Sequence, residues 1–230
     1  MSLALPNLPA GLLLINKPKG RTSFSLVSAL RRRLGVKKIG HAGTLDPFAT
    51  GVMILLVGKQ YTKQSDQFLG QDKEYLGRLH LGIATDTYDS EGAVTSTSTV
   101  EPTQAEFMDV LTHFQGEIQQ VPPMFSAKKI QGKKLYELAR KGVTIERPPS
   151  TVNVSIELID YAFPYVDVRV QCSKGTYIRS LAHDIGQMLG CGAHLCELSR
   201  TRSGHFHLHE CLDGNLIGDP DTNIIDNLRV

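Results

Sequence analysis

The sequence is poor in the residues that staple small secreted proteins or anchor membrane proteins. It has no tryptophan and only four cysteines among 230 residues, and the cysteines, within 172–211, are too few and too clustered for a disulfide framework. Leu12–Ile15 is too short for a signal core or a membrane span, and no basic segment precedes it. We therefore expect reduced thiols in a cytoplasmic protein without a membrane partner.

Common cofactor and hydrolase motifs are also absent. Gly58-Lys59 follows an apolar run, but Met53 stands where a phosphate-binding loop needs glycine, and Gln60 where it needs serine or threonine. No GxGxxG sequence follows a strand-like segment, and no serine lies in a GxSxG turn. The sequence therefore favours no nucleotide cofactor, and we expect none.

Three histidines near the C-terminus, His205, His207 and His209, raise the question of a metal site with Cys211. If this region were a strand, the three imidazoles would share one face. Zinc sites, however, usually draw ligands from a turn and a second element, and Cys191 and Cys196 are five residues apart rather than three. A polar face on an edge strand is the better interpretation, and we expect no metal.

The net charge of +2 is small, but positive charge is concentrated in two segments. Residues 1–70 contain 10 Lys and Arg against 2 Asp and Glu, and residues 128–150 contain 7 against 2. Two basic segments in a nearly neutral chain favour a polarised surface of the kind that binds a phosphate backbone. Ordinary solvated faces would give the same pattern, so charge alone leaves nucleic-acid binding undecided.

Hydrophobic periodicity predicts an α+β fold with a large mixed, mainly antiparallel sheet and a few flanking helices. Apolar and polar residues alternate in 152–158 and in 166–172, as is typical of paired antiparallel strands. Capping residues and helical spacing predict the helices, which begin at Thr22 or Ser23, near 101–103 and near 178. The other predicted strands are 11–16, 52–57, 73–82 and 194–209.

A basic segment bracketed by Pro122-Pro123 and Pro148-Pro149 interrupts this pattern. Its sequence is VPPMFSAKKIQGKKLYELARKGVTIERPP, and only Leu135–Arg140 has helical periodicity. This composition predicts a protruding insertion rather than part of the core.

The stretch KKIGHAGTLDPFATGVM (37–53) holds a single carboxylate, Asp46, among several glycines. Pro47 keeps Asp46 out of the helical region, and glycines let a backbone bend or approach a ligand closely. Many Asp-Pro sites only form turns, and His41 could be a general base or a ligand. The residues themselves support a turn-forming and a catalytic Asp46 about equally.

Five segments resemble, in the same order, the characteristic blocks of TruB-type tRNA pseudouridine synthases. The central one is GHAGTLDPFATG (40–51), which resembles the active-site motif of that family nearly letter for letter. The others are INKPKGRTSF (15–24), KEYLGRLHLGIATDTYDSEG (73–92), QVPPMFSAKKIQGKKLYELARKG (120–142) and CSKGTYIRSLAHDIG (172–186).

The resemblance implies the pseudouridine synthase fold and makes Asp46 the catalytic residue. It implies that a uridine in the tRNA T loop, position 55 by tRNA convention, is isomerised to pseudouridine without a cofactor. The C1′–N1 bond breaks, the uracil rotates, and a C1′–C5 bond forms. The carboxylate could attack C1′, add to C6 of the ring or take a proton from C2′, and the sequence does not choose among these.

The same resemblance implies roles for five further residues. Arg179 corresponds to the arginine that pairs with the aspartate and orients it. Tyr75 corresponds to the aromatic residue that stacks on the target base, and Tyr177 and Leu198 to residues that line the uracil pocket. His41 corresponds to the histidine that fills the space left by the flipped base.

The basic insertion, about 122–148, corresponds to the family's thumb, which closes on the T stem-loop. Its cations, with two lysines of the first block, are candidates for contacts to the RNA backbone, which position RNA without reading its sequence. These candidates are Lys17, Lys19, Lys128, Lys129, Lys133, Lys134, Arg140 and Lys141.

The resemblance covers residues 11–204, and only about 25 residues follow. We therefore expect one catalytic domain over 1–230, without the C-terminal PUA domain of many bacterial relatives, and a monomer. Two alternatives stay open: a non-catalytic protein that binds or folds tRNA, and a synthase that modifies another RNA uridine.

Overall fold

The structure, a computed structural model, describes residues 8–130 and 132–230. The chain divides into two compact units, one formed by residues up to 73 together with 199–230, and the other by 74–198. We call them the first and second units. The single domain over 1–230 therefore stays a prediction.

The strands of the described residues are numbered in chain order. They are β1 (Gly11–Lys17), β2 (Ile39–Ala42), β3 (Thr50–Val57), β4 (Lys73–Leu81), β5 (Ile83–Thr85), β6 (Val94–Thr97), β7 (Gly116–Gln120), β8 (Lys129–Ile130), β9 (Lys133–Lys134), β10 (Ser150–Ala162), β11 (Tyr165–Cys172), β12 (Ala193–Ser203), β13 (Phe206–His207) and β14 (Leu212–Asp213).

The α-helices are numbered in the same way, and three short 3-10 turns occur among the described residues. The helices are α1 (Ser23–Leu34), α2 (Lys59–Thr62), α3 (Ser65–Leu69), α4 (Gln104–Leu111), α5 (Leu135–Ala139) and α6 (Ile178–Met188). The 3-10 turns are Thr112–Phe114, Leu208–Glu210 and Gly214–Gly218.

The first unit is built on β3, which is buried along nearly its whole length. Strand β1 runs antiparallel to it, and β14 pairs in parallel with β1. Strand β2 pairs antiparallel with β3, whereas β12 pairs with it in parallel at Thr50 and Gly51. Helix α1 covers one face, where Leu26 and Leu30 join Leu13 in the core.

Helix α1 begins and ends where its sequence predicts. The Thr22 hydroxyl caps it by accepting a hydrogen bond from the Ser25 amide at 3.0 Å. Gly35 ends it in the left-handed conformation, with φ of 66°. Ser23, the alternative cap, is instead the first helical residue and is buried.

The second unit contains the alternating strands that the sequence predicts. Strand β10 pairs antiparallel with β11 and with β7, and its inward residues Val152, Val154 and Ile156 are buried. Helix α4 begins with a capping box between Thr103 and Glu106. The α+β class and the mainly antiparallel strand pairing are thus confirmed.

Two segments differ from their predicted structure. Strand β2 lies inside the stretch that was expected to be a loop. Its four residues are too few to show a strand pattern, and it forms because it pairs with β3. The long last strand expected over 194–209 ends at Ser203, and the chain turns at Gly204, where φ is 61°. The three histidines therefore do not share one strand face, as the zinc hypothesis required.

The structure also describes the cysteines, the potential metal ligands and the lengths of the helices. All four cysteines are free thiols. Within 8–130 and 132–230, no cluster of three or more potential metal-binding side chains occurs. No helix in these ranges is both long and apolar enough to cross a membrane.

Candidate active site

The loop that carries Asp46 lies in the first unit, between β2 and β3. Leu45 and Phe48 are buried, at 4% and 3% exposure, whereas Asp46 between them is half-buried. The Ala49 amide donates to the Asp46 carbonyl at 3.1 Å, which closes a turn over Pro47. Two apolar anchors and this turn therefore fix the backbone that bears the carboxylate.

Ser23 and Lys17 brace this loop on both sides of Asp46. The Ser23 hydroxyl donates to the Leu45 carbonyl at 3.1 Å and accepts from the Leu45 amide at 3.0 Å. The Lys17 ammonium donates to the Pro47 carbonyl at 3.0 Å. Since Leu45 and Pro47 are the direct neighbours of Asp46, the segment INKPKGRTSF positions the motif GHAGTLDPFATG.

The burial of Lys17 argues against the phosphate contact expected from the sequence. Its side chain is fully buried, and its ammonium donates to the carbonyls of Pro18 and Pro47, at 2.9 and 3.0 Å. A buried ammonium is stable only when such acceptors compensate its lost hydration. Lys19 is exposed, and we keep it, but not Lys17, among the candidates for contacting RNA.

His41 lies on β2, opposite Leu55 in the ladder, and is half-buried. Burial and the positive charge of Arg200 lower the pKa of its imidazole, so the neutral form dominates at pH 7. Its Nδ1 is buried without a hydrogen-bond partner among the described residues. A neutral, partly exposed ring is suited to stacking and poorly suited to holding a phosphate.

In the second unit, Arg179 lies in the first turn of α6 and is 4% exposed. Its guanidinium donates to the carbonyls of Thr87 (2.9 Å) and Phe125 (2.7 Å) and lies 3.3 Å from a carboxylate oxygen of Asp89. Asp89 accepts in turn from the Thr87 hydroxyl at 2.6 Å and from the Glu91 amide at 3.0 Å. These bonds fix the orientation of a buried cation.

Tyr177 immediately precedes α6, and the side chain of Gln120 holds its backbone. The Tyr177 amide donates to Gln120 Oε1 at 2.8 Å, and Gln120 Nε2 donates to the Tyr177 carbonyl at 3.1 Å. Gln120 is 2% exposed and is the last residue of β7, directly before the basic insertion. The Ser180 hydroxyl adds a bond to the Val121 carbonyl at 3.1 Å. The root of the insertion is thereby joined to the start of α6.

Tyr75 and Leu198 lie on strands of the second unit. Tyr75 is on β4 and is 8% exposed, within the alternating pattern of that strand. Leu198 is on β12 and is also 8% exposed. Both side chains are thus almost buried.

The basic insertion forms a small hairpin, β8 and β9, followed by α5. Lys129, Lys133, Arg140 and Lys141 are exposed. The other two candidate cations, Lys128 and Lys134, donate to neighbouring hydroxyl groups. The Lys128 ammonium donates to the Ser150 hydroxyl at 2.6 Å, and that of Lys134 to the Tyr136 hydroxyl at 3.2 Å.

The sequence analysis did not identify the residues that hold the candidate site residues in place. Asp89, Gln120 and Ser23 lie inside the quoted blocks, so a signal for them was present, but their partners are distant in the chain. Arg200 lies outside those blocks and is 1% exposed. The sequence analysis made no prediction for it, and only the tertiary structure places it in the core.

Two family models match successive parts of this chain. The TruB family pseudouridylate synthase (N terminal domain) matches residues 31–178, which is more than half of the chain. The chain belongs to the TruB family of pseudouridylate synthases. This TruB-family chain is accordingly an isomerase, and its fold class agrees with the predicted one. The tRNA pseudouridylate synthase B C-terminal domain matches residues 179–216, beginning at Arg179 in α6.

Curated relatives support the same family over nearly the whole chain. A tRNA pseudouridine synthase B of Protochlamydia amoebophila is 62% identical over 95% of this chain and 83% of its own length. One of Chlamydia trachomatis serovar L2 is 58% identical over 95% of this chain and 91% of its own. One of Opitutus terrae is 50% identical over 88% and 84% of the two chains.

Solved structures of Cbf5 complexes contain chains that resemble this one at lower sequence identity. A Cbf5-Nop10-Gar1 complex contains a chain 29% identical to this TruB-family chain, with a TM-score of 0.71 and 94% of this chain covered. The archaeal box H/ACA sRNP Nop10-Cbf5 complex gives 30% identity, a TM-score of 0.67 and 93% coverage. This chain spans 58% and 54% of those two chains.

Proposed function

We propose that this enzyme isomerises a uridine in the T loop of tRNA, position 55 by tRNA convention, and that Asp46 is its catalytic residue. The curated relatives, named tRNA pseudouridine synthase B, support tRNA as the substrate. The C1′–N1 bond breaks, the uracil rotates, and C5 bonds to C1′ while its proton leaves and N1 gains one. We expect the enzyme to modify tRNA in the cytoplasm.

The observation that carries this proposal is the fixed position of Asp46. Its two neighbours are held by Ser23 and Lys17, and Asp46 itself is half-buried between the buried residues Leu45 and Phe48. Each of the three possible roles of the aspartate, attack at C1′, addition to C6 or removal of the C2′ proton, needs a carboxylate held close to the sugar or base. The braced loop supports the assignment of this role to Asp46.

The remaining residues take the roles that the family resemblance implies. We assign to Arg179 the cationic role beside the catalytic carboxylate, and to Tyr75 the stacking of the target base. Tyr177 and Leu198 line the uracil pocket. His41, neutral at pH 7 because burial and Arg200 lower its pKa, occupies the space that the flipped base leaves.

Residues 122–148 form the thumb that binds the T stem-loop through its exposed cations. Lys129, Lys133, Arg140 and Lys141 supply contacts to phosphates, with Lys19 from the first block. Lys128 and Lys134 contribute less, because each already donates to a neighbouring hydroxyl. Specificity then depends on the shape of the T loop and its unstacked bases.

Tritium release from tRNA labelled at uridine C5 tests the chemical step directly. Wild type releases tritium under single-turnover conditions with excess enzyme, and Asp46→Asn, which keeps the shape but not the charge, releases none. Asp66→Asn, an exposed acid of the same unit, is the matched control and keeps the wild-type rate. A T-loop transcript with uridine 55 replaced by cytidine abolishes release if the site is correct.

Three outcomes contradict parts of this proposal. Binding of tRNA without tritium release by wild type would identify a tRNA-binding or folding protein instead. Equal release by wild type and Asp46→Asn would remove Asp46 from its role. A loss in His41→Ala as complete as that in Asp46→Asn would contradict the stacking role of His41.

A further inference from the structure

Arg200 is a buried cation whose side chain reaches the loop of Asp46 from β12. Its guanidinium is 1% exposed and lies in the first unit. Nε donates to the Val52 carbonyl at 2.7 Å, and Nη2 donates to the Gly43 carbonyl at 3.2 Å. Gly43 follows β2 directly and Val52 lies just inside β3, so the guanidinium spans the two ends of the loop.

The strand pairing explains why an arginine is needed at this place. One part of β3 pairs with β12, at Thr50 and Gly51, and another part pairs with β2, from Ile54 to Val57. Val52 lies between these two stretches, within the part of β3 that pairs with β1, and its carbonyl accepts from Arg200. The guanidinium therefore supplies a donor to β3 between its pairings with β12 and β2.

At two glycines near the ends of the loop, Arg200 lies so close that a side chain would meet it. Gly51 has φ of 106°, and a Cβ there would lie 2.3 Å from the Arg200 carbonyl oxygen and 2.5 Å from its amide nitrogen. Gly43 has φ of 90°, and a Cβ there would lie 3.3 Å from Nη1 of Arg200. The sequence suggested that these glycines could allow a ligand to come close, but in the structure the group that comes close is Arg200.

We infer that Arg200 is a positioning residue for Asp46, because its planar guanidinium ties both ends of the loop and so sets the carboxylate in place. The inference rests on the proposed function, in which Asp46 is the catalytic residue. Arginine suits the task because two donors in a fixed fork reach two carbonyls at once. A lysine in its place is a single compact ammonium and cannot hold both.

The test compares Arg200→Lys and Arg200→Met with Arg202→Lys and Arg202→Met. Arg202 lies two residues further along β12 and donates to the Gly204 carbonyl at 2.9 Å, outside the loop. The measurements are the single-turnover rate of tritium release, the tRNA Kd, the melting temperature, and hydrogen–deuterium exchange of the peptide covering 43–51. Asp46→Asn is measured in parallel.

Arg200→Lys is expected to fold and to bind tRNA with a Kd within about threefold of wild type. Its single-turnover rate falls about 10- to 100-fold, because displacing a catalytic group by about 1 Å costs rate of this order. Hydrogen–deuterium exchange in 43–51 becomes faster. The single-turnover rate of Arg200→Met falls further than that of Arg200→Lys. Arg200→Ala, made in addition for a rescue experiment, regains part of the rate when methylguanidinium is added, whereas Asp46→Asn regains none. The Arg202 variants keep the wild-type rate and exchange.

Wild-type rate and exchange in Arg200→Lys, together with an inactive Asp46→Asn, would overturn this inference and leave the proposed function intact. Full activity of Asp46→Asn would overturn both. Equal losses in the Arg200 and Arg202 variants, or failure of both Arg200 variants to fold, would make Arg200 a general core residue and also overturn the inference.

Discussion

At the residue scale, burial sets the protonation of several side chains in this enzyme. Desolvation lowers the pKa of His183, which stacks on Tyr88 with ring centroids 3.9 Å apart. It raises the pKa of the neighbouring Asp184 to about 6. Both residues lie on α6, between its first turn, which holds Arg179, and its C-terminal end. Such groups make stability depend on pH in a direction that can be predicted.

Asp184→Asn is expected to stabilise the protein at pH 8 and to have little effect near pH 4. Between the ordinary value of 3.8 and a folded pKa of about 6, the folded state binds more protons than the unfolded state. Stability therefore falls as pH rises through this window, and the cost is complete above about pH 6. With partial exposure taken into account, the gain at pH 8 is about 1–2 kcal/mol.

Urea denaturation at several pH values measures the difference in unfolding free energy between Asp184→Asn and wild type. The contribution of His183 to the pH dependence cancels because both proteins contain it. Asp66→Asn, at an exposed position, serves as the control and gives no comparable gain. The same gain at pH 4 and pH 8, or a loss at pH 8, would show that desolvation of Asp184 is not its cause.

At the scale of elements, the root of the thumb and the start of α6 form one hydrogen-bonded substructure. Gln120 holds the backbone of Tyr177, the Val121 carbonyl accepts from Ser180, and the Phe125 carbonyl accepts from Arg179. The element that we propose to bind RNA is thus joined directly to the residues that we assign to the uracil pocket. Small displacements of one are expected to move the other.

Gln120→Met tests this connection, with the adjacent Gln119→Met as its matched control. Gln120 is 2% exposed and makes both bonds to Tyr177, whereas Gln119 is exposed and donates only to the Thr151 hydroxyl. Gln120→Met removes both side-chain bonds to the Tyr177 backbone, whose carbonyl keeps the bond from the Leu181 amide at 3.2 Å. The loss of these two buried bonds lowers the free energy of unfolding by about 1–3 kcal/mol.

The single-turnover rate of Gln120→Met is expected to fall about tenfold, since Tyr177 loses its support. Gln120→Glu keeps the acceptor but not the donor, and its rate lies in between. Tritium release and urea denaturation give both quantities. Indistinguishable results for the variants of Gln119 and Gln120 would argue against a positioning role for the thumb root.

Replacing Lys129, Lys133 and Lys141 together by glutamine is expected to flatten the salt dependence of tRNA affinity. Each phosphate contact that is lost lowers the slope of log K against log salt by about 0.7–0.9. The rate of the bound complex stays near that of wild type, because these side chains do not touch the reacting base. The triple arginine variant keeps the charge and should keep the slope. An unchanged slope in the glutamine variant would contradict phosphate contacts by these three lysines.

At the scale of the whole molecule, the described chain has no cysteine that is set up to react. Burial raises the pKa of Cys196 and Cys211 to about 11, and also raises that of Cys191. The thiolate is the reactive form, and it is scarce at neutral pH when the pKa is so high. Cys172 is buried. Activity should therefore not depend on a reducing environment.

Iodoacetamide at pH 7.5 is expected to label the folded protein slowly and to leave tritium release unchanged. In urea all four thiols become accessible and label quickly, which supplies the control. Mass spectrometry counts the added groups. Rapid stoichiometric labelling of the folded protein, or loss of activity with it, would show that at least one thiol is exposed and activated.

The sequence determined what depends on local pattern. Alternation marked β10 and β11, the cap at Thr22 and the glycine at 35 bounded α1, and the block around Asp46 led to the family and the reaction. These signals could be read because strand periodicity, capping and motif spacing are properties of neighbouring residues.

Only the tertiary structure decided which side chains hold the site in place. Lys17 was a candidate for contacting RNA and Arg200 had no predicted role, yet both are buried and donate to carbonyls at the Asp46 loop. Gln120 and Asp89 act on residues 57 and 90 positions away. Partners so distant in the chain become neighbours only when the strands pair, because a backbone carbonyl accepts from whichever donor the fold brings to it.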